Sequence, residues 1–295
     1  EDNGAASPIT WKNTPTMGQI QITKKSADDN PFNALAAGTP LPGATFEVYD
    51  RAGNLVNTVV TDKNGIATTD TLPLGRYTIR ETKAPVFYSA TTQPIKVEIE
   101  FSGQIVRVEV LNQSVYTNVS VTKRGYKQVT PSQTIRYDFK NIANNSTVPL
   151  NSFYWRDTLP TSPVRLTKII TGTWNQKLSY KVVYKTNLHD YRTLADNLST
   201  MKNYSLDASP AALGLASNEY VTDFMFVFGT VKVGFAQVDA PYILCWTNSW
   251  LNNGYQFANR TDVGGLHGGQ WIMATDRWVT TFYKPGVTTL PKTGY

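Results

Sequence analysis

The stretch Leu74-Gly75-Arg76-Tyr77-Thr78-Ile79-Arg80-Glu81-Thr82-Lys83-Ala84-Pro85 decides how the first third of the chain folds. Apolar and polar residues alternate through its middle, and a strand places every second side chain on the same face. Tyr77, Ile79 and Glu81 therefore share a side, which the tyrosine and isoleucine mark as the inner one. Working outward, the run Gly18-Gln19-Ile20-Gln21-Ile22-Thr23-Lys24 places Lys24 in phase with Ile20 and Ile22, and leaves Lys25 facing out. Val106, Val108, Val110 and Asn112 likewise share a face opposite Arg107 and Glu109. A lysine, a glutamate and an asparagine are thus predicted to point into one core.

Similar alternating runs recur at Thr45 to Tyr49, Lys96 to Glu100, Val119 to Thr122, Thr134 to Phe139 and Lys181 to Lys185. The tetrads Asp50-Arg51-Ala52-Gly53 and Asp62-Lys63-Asn64-Gly65 between them end in glycines that tolerate positive φ, as hairpin loops require. The expected fold class is all-β, built from tandem antiparallel sandwiches of immunoglobulin-like or prealbumin-like type. Helical spacing is found only at Tyr191, Leu194, Leu198 and Met201, which predicts one short helix in the larger, second domain.

Burying an ammonium or a carboxylate is costly, and such groups pair or neutralise by shifting their pKa values. Two readings of Lys24, Glu81 and Asn112 follow. In one, the residues sit at strand ends, where lysine snorkels outward and glutamate pairs with it. In the other, a desolvated neutral amine attacks the Asn112 side-chain carbonyl while a protonated Glu81 polarises that carbonyl and shuttles protons. Ammonia leaves, and a Lys-Asn isopeptide bond remains.

An internal repeat bears on domain organisation. Asn13 lies eleven residues before Lys24, and Asn112 eleven before Lys123, each asparagine closing one run and each lysine closing the next. Residues 1–16 are then expected to be the tail of an upstream domain or a linker, followed by a sandwich over 17–114, a larger one over 115–289 and a terminal motif over 290–295. By this template Asn13 is the last residue of a copy whose lysine and glutamate lie elsewhere, and it is expected to be unbonded.

Residues 18 to 114, through Gly18 to Lys24, Leu41-Pro42-Gly43-Ala44-Thr45-Phe46, Thr61 to Gly65 and Leu74 to Pro85, resemble the collagen-adhesin B-type domain of Gram-positive surface proteins and pilins. The resemblance implies a prealbumin-like sandwich with a self-formed isopeptide bond: Lys24 on the first strand, Asn112 at the end of the last, and Glu81 of the E-T-x-A-P motif as catalyst. It favours the covalent reading over the snorkelling one. Phe87 before Tyr88 departs from the family's usual glycine, in a loop away from the three residues.

Near the other end, Leu290, Pro291, Lys292, Thr293 and Gly294 resemble the LPxTG signal read by sortases. A proline-bent pentapeptide near a chain end can enter a groove in which a cysteine thiolate attacks the Thr293 carbonyl. The resemblance implies sortase as a partner, attachment to peptidoglycan or another pilus subunit, and an extracellular, cell-wall-anchored location. The membrane-targeting ends of such a protein are expected outside these residues.

The second domain repeats the pattern more loosely. Val119, Val121 and Lys123 share a face, as do Phe153, Trp155 and Asp157, and Tyr255, Phe257 and Asn259. Asp138 fails the same test, because Ile135, Tyr137 and Phe139 hold the opposite face. A second bond from Lys123 to Asn259 with Asp157 as its acid competes with a reading in which Asp157 caps a turn before Pro160. The segment through Trp155 to Pro160 is similar to the first half of repeat domains and A-type collagen-adhesin domains of Gram-positive surface proteins. Six of the seven tryptophans lie here, available for core packing or for stacking on sugars. Gly264-Gly265-Leu266-His267-Gly268-Gly269 reads as a flexible loop that borders a binding surface.

Composition removes other classes. One cysteine, Cys245, and two histidines, His189 and His267, cannot build a disulfide scaffold, a Cys-rich metal site or a multi-His centre, so no metal and no cofactor are expected. No apolar run approaches the ~18 residues of a spanning helix. The net charge of +6 comes from residues beyond Ser114, without a compact basic cluster or a nucleic-acid signature. Neither G-x-S-x-G nor H-E-x-x-H occurs. The chain reads as a structural surface protein or pilus subunit and not an enzyme, its only chemistry a single turnover on itself. The alternative is an adhesin whose 115–289 domain binds a host glycan or matrix protein, marked by an exposed aromatic cluster beside Gly264 to Gly269.

Overall fold

The computed structural model describes residues 16–161 and 163–286, which form two compact units dividing between Val115 and Tyr116. The first holds eight strands: β1 (Met17–Ser26), β2 (Thr45–Tyr49), β3 (Leu55–Val60), β4 (Ile66–Thr68), β5 (Leu72–Pro73), β6 (Gly75–Lys83), β7 (Ile95–Ile99) and β8 (Ile105–Asn112). One sheet runs β3-β2-β6-β7; the other is centred on β1, which pairs with β4 and β5 and, in parallel, with β8. The two apolar faces meet through Ile20 and Ile22, Phe46 and Val48, Tyr77 and Ile79, Ile99 and Val110. Burial along β1 alternates without a break, so the inner row Gly18, Ile20, Ile22 continues into Lys24 and Ser26.

Turn chemistry aligns these strands. Asp50 Oδ1 accepts the Ala52 and Asn54 amides at 2.9 Å, and Asp62 Oδ1 accepts those of Asn64 and Ile66 at the same distance. Gly65 closes the second loop at φ 71°, and a Cβ there would lie 2.5 Å from the Lys24 carbonyl oxygen. The bare backbone lets the loop dock on β1, where the Lys24 amide donates to the Gly65 carbonyl at 2.7 Å.

The second unit holds twelve strands. They are β9 (Val119–Arg124), β10 (Gln128–Val129), β11 (Thr134–Asn144), β12 (Leu150–Thr158), β13 (Val164–Ile170), β14 (Ser179–Thr186), β15 (Arg192–Ser199), β16 (Ser205–Asp207), β17 (Val221–Val231), β18 (Tyr242–Thr247), β19 (Gln256–His267) and β20 (Gln270–Phe282). A seven-stranded sheet, β10-β20-β19-β12-β17-β14-β15, and a five-stranded one, β16-β13-β18-β11-β9, make up the unit. Its interior is aromatic: Trp155 meets Phe139, Phe224 and Phe226, and Trp174 stacks on Phe235. All the described residues conform to the all-β class.

Two expectations fail here. The predicted helix at Tyr191 to Met201 is the edge strand β15, paired antiparallel with β14. Only Leu198 of the apolar stripe is buried, whereas Tyr191 and Met201 are exposed, so a helical face would have met no core. Register shifts along the β14–β15 ladder, with Asn197 in the left-handed region at φ 52°, spread the apolar residues off a period of two. The glycine stretch, in turn, is mostly strand: Gly264 and Gly265 lie within β19, and Gly268 and Gly269 make the turn into β20. A Cβ at Gly264 would strike the Tyr154 ring at 2.7 Å, and one at Gly265 would strike Leu150 at 2.8 Å, so both glycines serve close packing.

Candidate functional site

In the first unit the pairing register brings the three inward polar residues together. Lys24 lies opposite Val110 in the parallel β1–β8 ladder, so Asn112, two residues on, falls on the same face. Glu81 extends the inner row of β6 in the facing sheet, opposite Phe46. The Lys24 and Glu81 side chains are 0% and 1% exposed, which rules out an outward-snorkelling lysine.

The hydrogen bonds are specific. Lys24 Nζ contacts Asn112 Oδ1 and donates to Glu81 Oε2 at 3.3 Å. The Asn112 amide nitrogen donates to Glu81 Oε1 at 2.8 Å. Glu81 thus faces the amine with one oxygen and the asparagine NH2 with the other. A fourth residue, Thr91, completes the cluster: its backbone amide donates to Glu81 Oε2 at 2.7 Å and its hydroxyl to Asn112 Oδ1 at 3.0 Å. Burial is the main influence on Lys24 and lowers its pKa, outweighing the attraction of Glu81. The neutral amine required of a nucleophile is therefore favoured.

The second unit gathers Lys123, Asp157 and Asn259, each 0% exposed. Lys123 Nζ contacts Asp157 Oδ1 and stands over the rings of Phe139 and Tyr137, 4.0 and 4.8 Å from their centres. Asp157 pairs with Thr261 in the β12–β19 ladder, which places Asn259 one step along on the same face. Burial lowers the Lys123 pKa and raises that of Asp157, favouring a neutral pair. The Asn259 side chain lies close enough to Asp157 to lower its pKa, yet among the described residues neither of its polar atoms, nor Asp157 Oδ2, has a hydrogen-bond partner of good geometry. Orphaned buried amides are rare and call for an explanation. Asp138 turns away, as its phase requires, and pairs with Arg136.

Residues 18–114 match the SpaA prealbumin-like fold domain. That segment is similar to prealbumin-like domains of the SpaA kind. Over 76 residues the chain is 37% identical to the trypsin-resistant surface T6 protein of Streptococcus pyogenes serotype M6, covering 26% of this chain and only 14% of that protein. Among solved structures, the major pilin BcpA of Bacillus cereus is 17% identical, with a TM-score of 0.30 over 90% of this chain and 69% of its own. The major pilin SpaD of Corynebacterium diphtheriae is 18% identical, with a TM-score of 0.29 over 90% and 66%.

The first unit holds Lys24, Glu81 and Asn112, and the second holds Lys123, Asp157 and Asn259. Asn13 and the motif Leu290, Pro291, Lys292, Thr293 and Gly294 lie outside the described residues. Thr91 was missed from sequence, because it sits in the loop between β6 and β7, where no periodicity assigns a direction. The tryptophans divide: Trp155 and Trp174 are fully buried, while Trp246, Trp250 and Trp271 are exposed. Trp271 flanks the Gly268–Gly269 turn and meets the Tyr154 ring edge-on at 6.0 Å. Beside it a shallow groove of about 630 Å³ runs past Met273, Thr275, Arg277, Arg260 and Arg156.

Proposed function

We propose that the chain is part of a cell-wall-anchored surface protein or pilus subunit whose domains are stiffened by self-formed Lys-Asn isopeptide bonds. The observation that carries this reading is the dry meeting of Lys24, Glu81 and Asn112, with Glu81 spanning the amine and the amide nitrogen. Neutral Nζ adds to Cγ of Asn112, and negative charge moves onto Oδ1. Glu81 Oε2 accepts a proton from the attached nitrogen, and Oε1 delivers one to Nδ2, which departs as ammonia. One C–N bond forms, one breaks, and Glu81 ends in its starting state. Lys123, Asp157 and Asn259 are assigned the same roles in the second unit, with Asp157 as acid.

A chain without a usable disulfide gains an extracellular cross-link in this way, since closing a long loop restricts the unfolded state. The motif Leu290 to Gly294 supplies the anchoring step: sortase cleaves after Thr293 and passes the threonine carbonyl to peptidoglycan or another pilus subunit. Likeness of part of the chain to a streptococcal surface protein supports an extracellular location at the cell wall. The test is the intact mass of the denatured protein. A deficit of one ammonia per bond, abolished domain by domain in Glu81→Ala and Asp157→Ala, is expected; an undiminished wild-type mass refutes the cross-linking.

A second reading, an adhesin, is favoured by one feature of the second unit. Arg260 and Arg277 lie directly opposite each other on β19 and β20, on the exposed face that carries Met273 and then Trp271 further along β20. Like charges so placed repel, and an acidic glycan stacked on Trp271 would relieve them. Binding of an acidic oligosaccharide that is lost in Trp271→Ala supports this reading, and equal binding by the variant refutes it.

A further inference from the structure

Glu81 occupies a position at odds with one part of the chemistry expected from sequence. Its two oxygens face Lys24 Nζ and Asn112 Nδ2, so neither polarises the asparagine carbonyl. That oxygen, Oδ1, must take up negative charge when the amine adds, and a preorganised donor aimed at such an oxygen is often the largest single contribution to acyl transfer. Besides the attacking Lys24 amine itself, the donor to this oxygen among the described residues is the Thr91 hydroxyl, 3.0 Å from Oδ1. Its other acceptor within reach, the Leu111 carbonyl, is more distant at 3.4 Å.

We infer that Thr91 is a catalytic residue of the cross-linking reaction, its hydroxyl stabilising the developing oxyanion on Asn112 while its backbone amide holds Glu81 in the proton-relay position. The inference rests on the isopeptide reading of the site. Thr91 reaches both partners because its loop is tied to the end of β8: the Ser89 amide donates to the Gln113 carbonyl at 2.9 Å, and the Val115 amide to the Phe87 carbonyl at 2.9 Å. The loop that carries the hydroxyl and the strand that carries Asn112 therefore move together. As the amine adds, the hydroxyl proton stays on Thr91 and its hydrogen bond to Oδ1 strengthens. When ammonia leaves, Oδ1 returns to being an amide carbonyl under the same donor.

The second unit provides an internal contrast. Among the described residues no donor reaches the Asn259 side-chain carbonyl, so it lacks what Thr91 gives Asn112. Lys24 and Asn112 are then expected to join faster than Lys123 and Asn259 in the same molecule.

The experiment follows ammonia loss by intact mass from the onset of cell-free synthesis of the full chain, for wild type, Thr91→Ser, Thr91→Val and Thr91→Ala. Each carries Asp157→Ala so that only the first bond is counted. Removal of one oxyanion donor typically slows acyl transfer by ~100-fold or more. Thr91→Val and Thr91→Ala are expected to reach the bonded mass ~100-fold later than wild type, with Thr91→Ser close to wild type. All substitutions keep the backbone amide, and circular dichroism of each variant at the first time point reports its folding. A Thr91→Val or Thr91→Ala chain that bonds as fast as wild type overturns the inference, and so does a Thr91→Ser chain as slow as Thr91→Val, since packing and not the hydroxyl would then be responsible. A wild-type chain that never loses ammonia refutes the isopeptide reading itself, which separates the two failures.

Discussion

Replacing Glu81 by glutamine keeps the shape of the side chain and removes its capacity to relay protons between Lys24 Nζ and Asn112 Nδ2. The variant should fold with both residues present and no bond between them. Lys24 and Asn112 are 88 positions apart. Closing a loop of that length removes denatured-state entropy worth about 4.5 kcal/mol at 25 °C. For a domain of this size, each kcal/mol moves the melting temperature by ~4–8 °C, so the first transition should fall by about 18–36 °C. Differential scanning calorimetry of the full chain resolves this, because the second unit supplies a transition that Glu81→Gln leaves in place. A first transition within a few degrees of wild type, or an unchanged ammonia deficit in the variant, would refute the reasoning.

Further outcomes follow from the same geometry. Asp157→Ala should restore one ammonia to the intact mass and lower only the second transition, while Asp138→Ala, whose carboxylate pairs with Arg136 outside the cluster, should do neither. In Asn112→Ala the lysine stays a free amine with a pKa lowered by burial, so the unfolded chain binds its proton more readily. Relative to wild type, the stability of that variant in denaturant titrations should rise as pH climbs from the lowered folded value towards the ~10.4 of an unfolded lysine; an unchanging difference would contradict the assignment. Under force applied through the chain ends, the segment between Lys24 and Asn112 should stay closed in wild type. In Glu81→Gln the 88-position separation should release ~300 Å of contour in single-molecule stretching.

Much of the first unit was legible because its strands are half-buried and alternate without interruption. Ile20, Ile22 and Lys24 occupy one row in the sequence and one row in β1. The Asp-x-x-Gly tetrads declared their turns through side-chain chemistry that acts over two to four residues. Legibility failed where position depends on distant partners. Leu194 and Leu198 have the spacing of a helix, but the edge of β14 decides the matter by offering a ladder of hydrogen bonds. Gly264 and Gly265 look like loop residues until Tyr154 and Leu150 are seen to pack against them. Thr91 carries no periodic signal, and its role depends on a loop tied to the end of β8. The phase of Lys123, Asp157 and Asn259 was readable, whereas the missing donor to the Asn259 carbonyl among the described residues was not.

A covalent link between Lys24 and Asn112 would be seen without intermediary in a protease digest of the denatured wild-type protein read by tandem mass spectrometry. A branched peptide joining the Lys24 and Asn112 segments, lighter than its two parts by one ammonia and absent from Glu81→Gln, is expected. Recovery of both segments from wild type only as separate linear peptides, at their full masses, would contradict it.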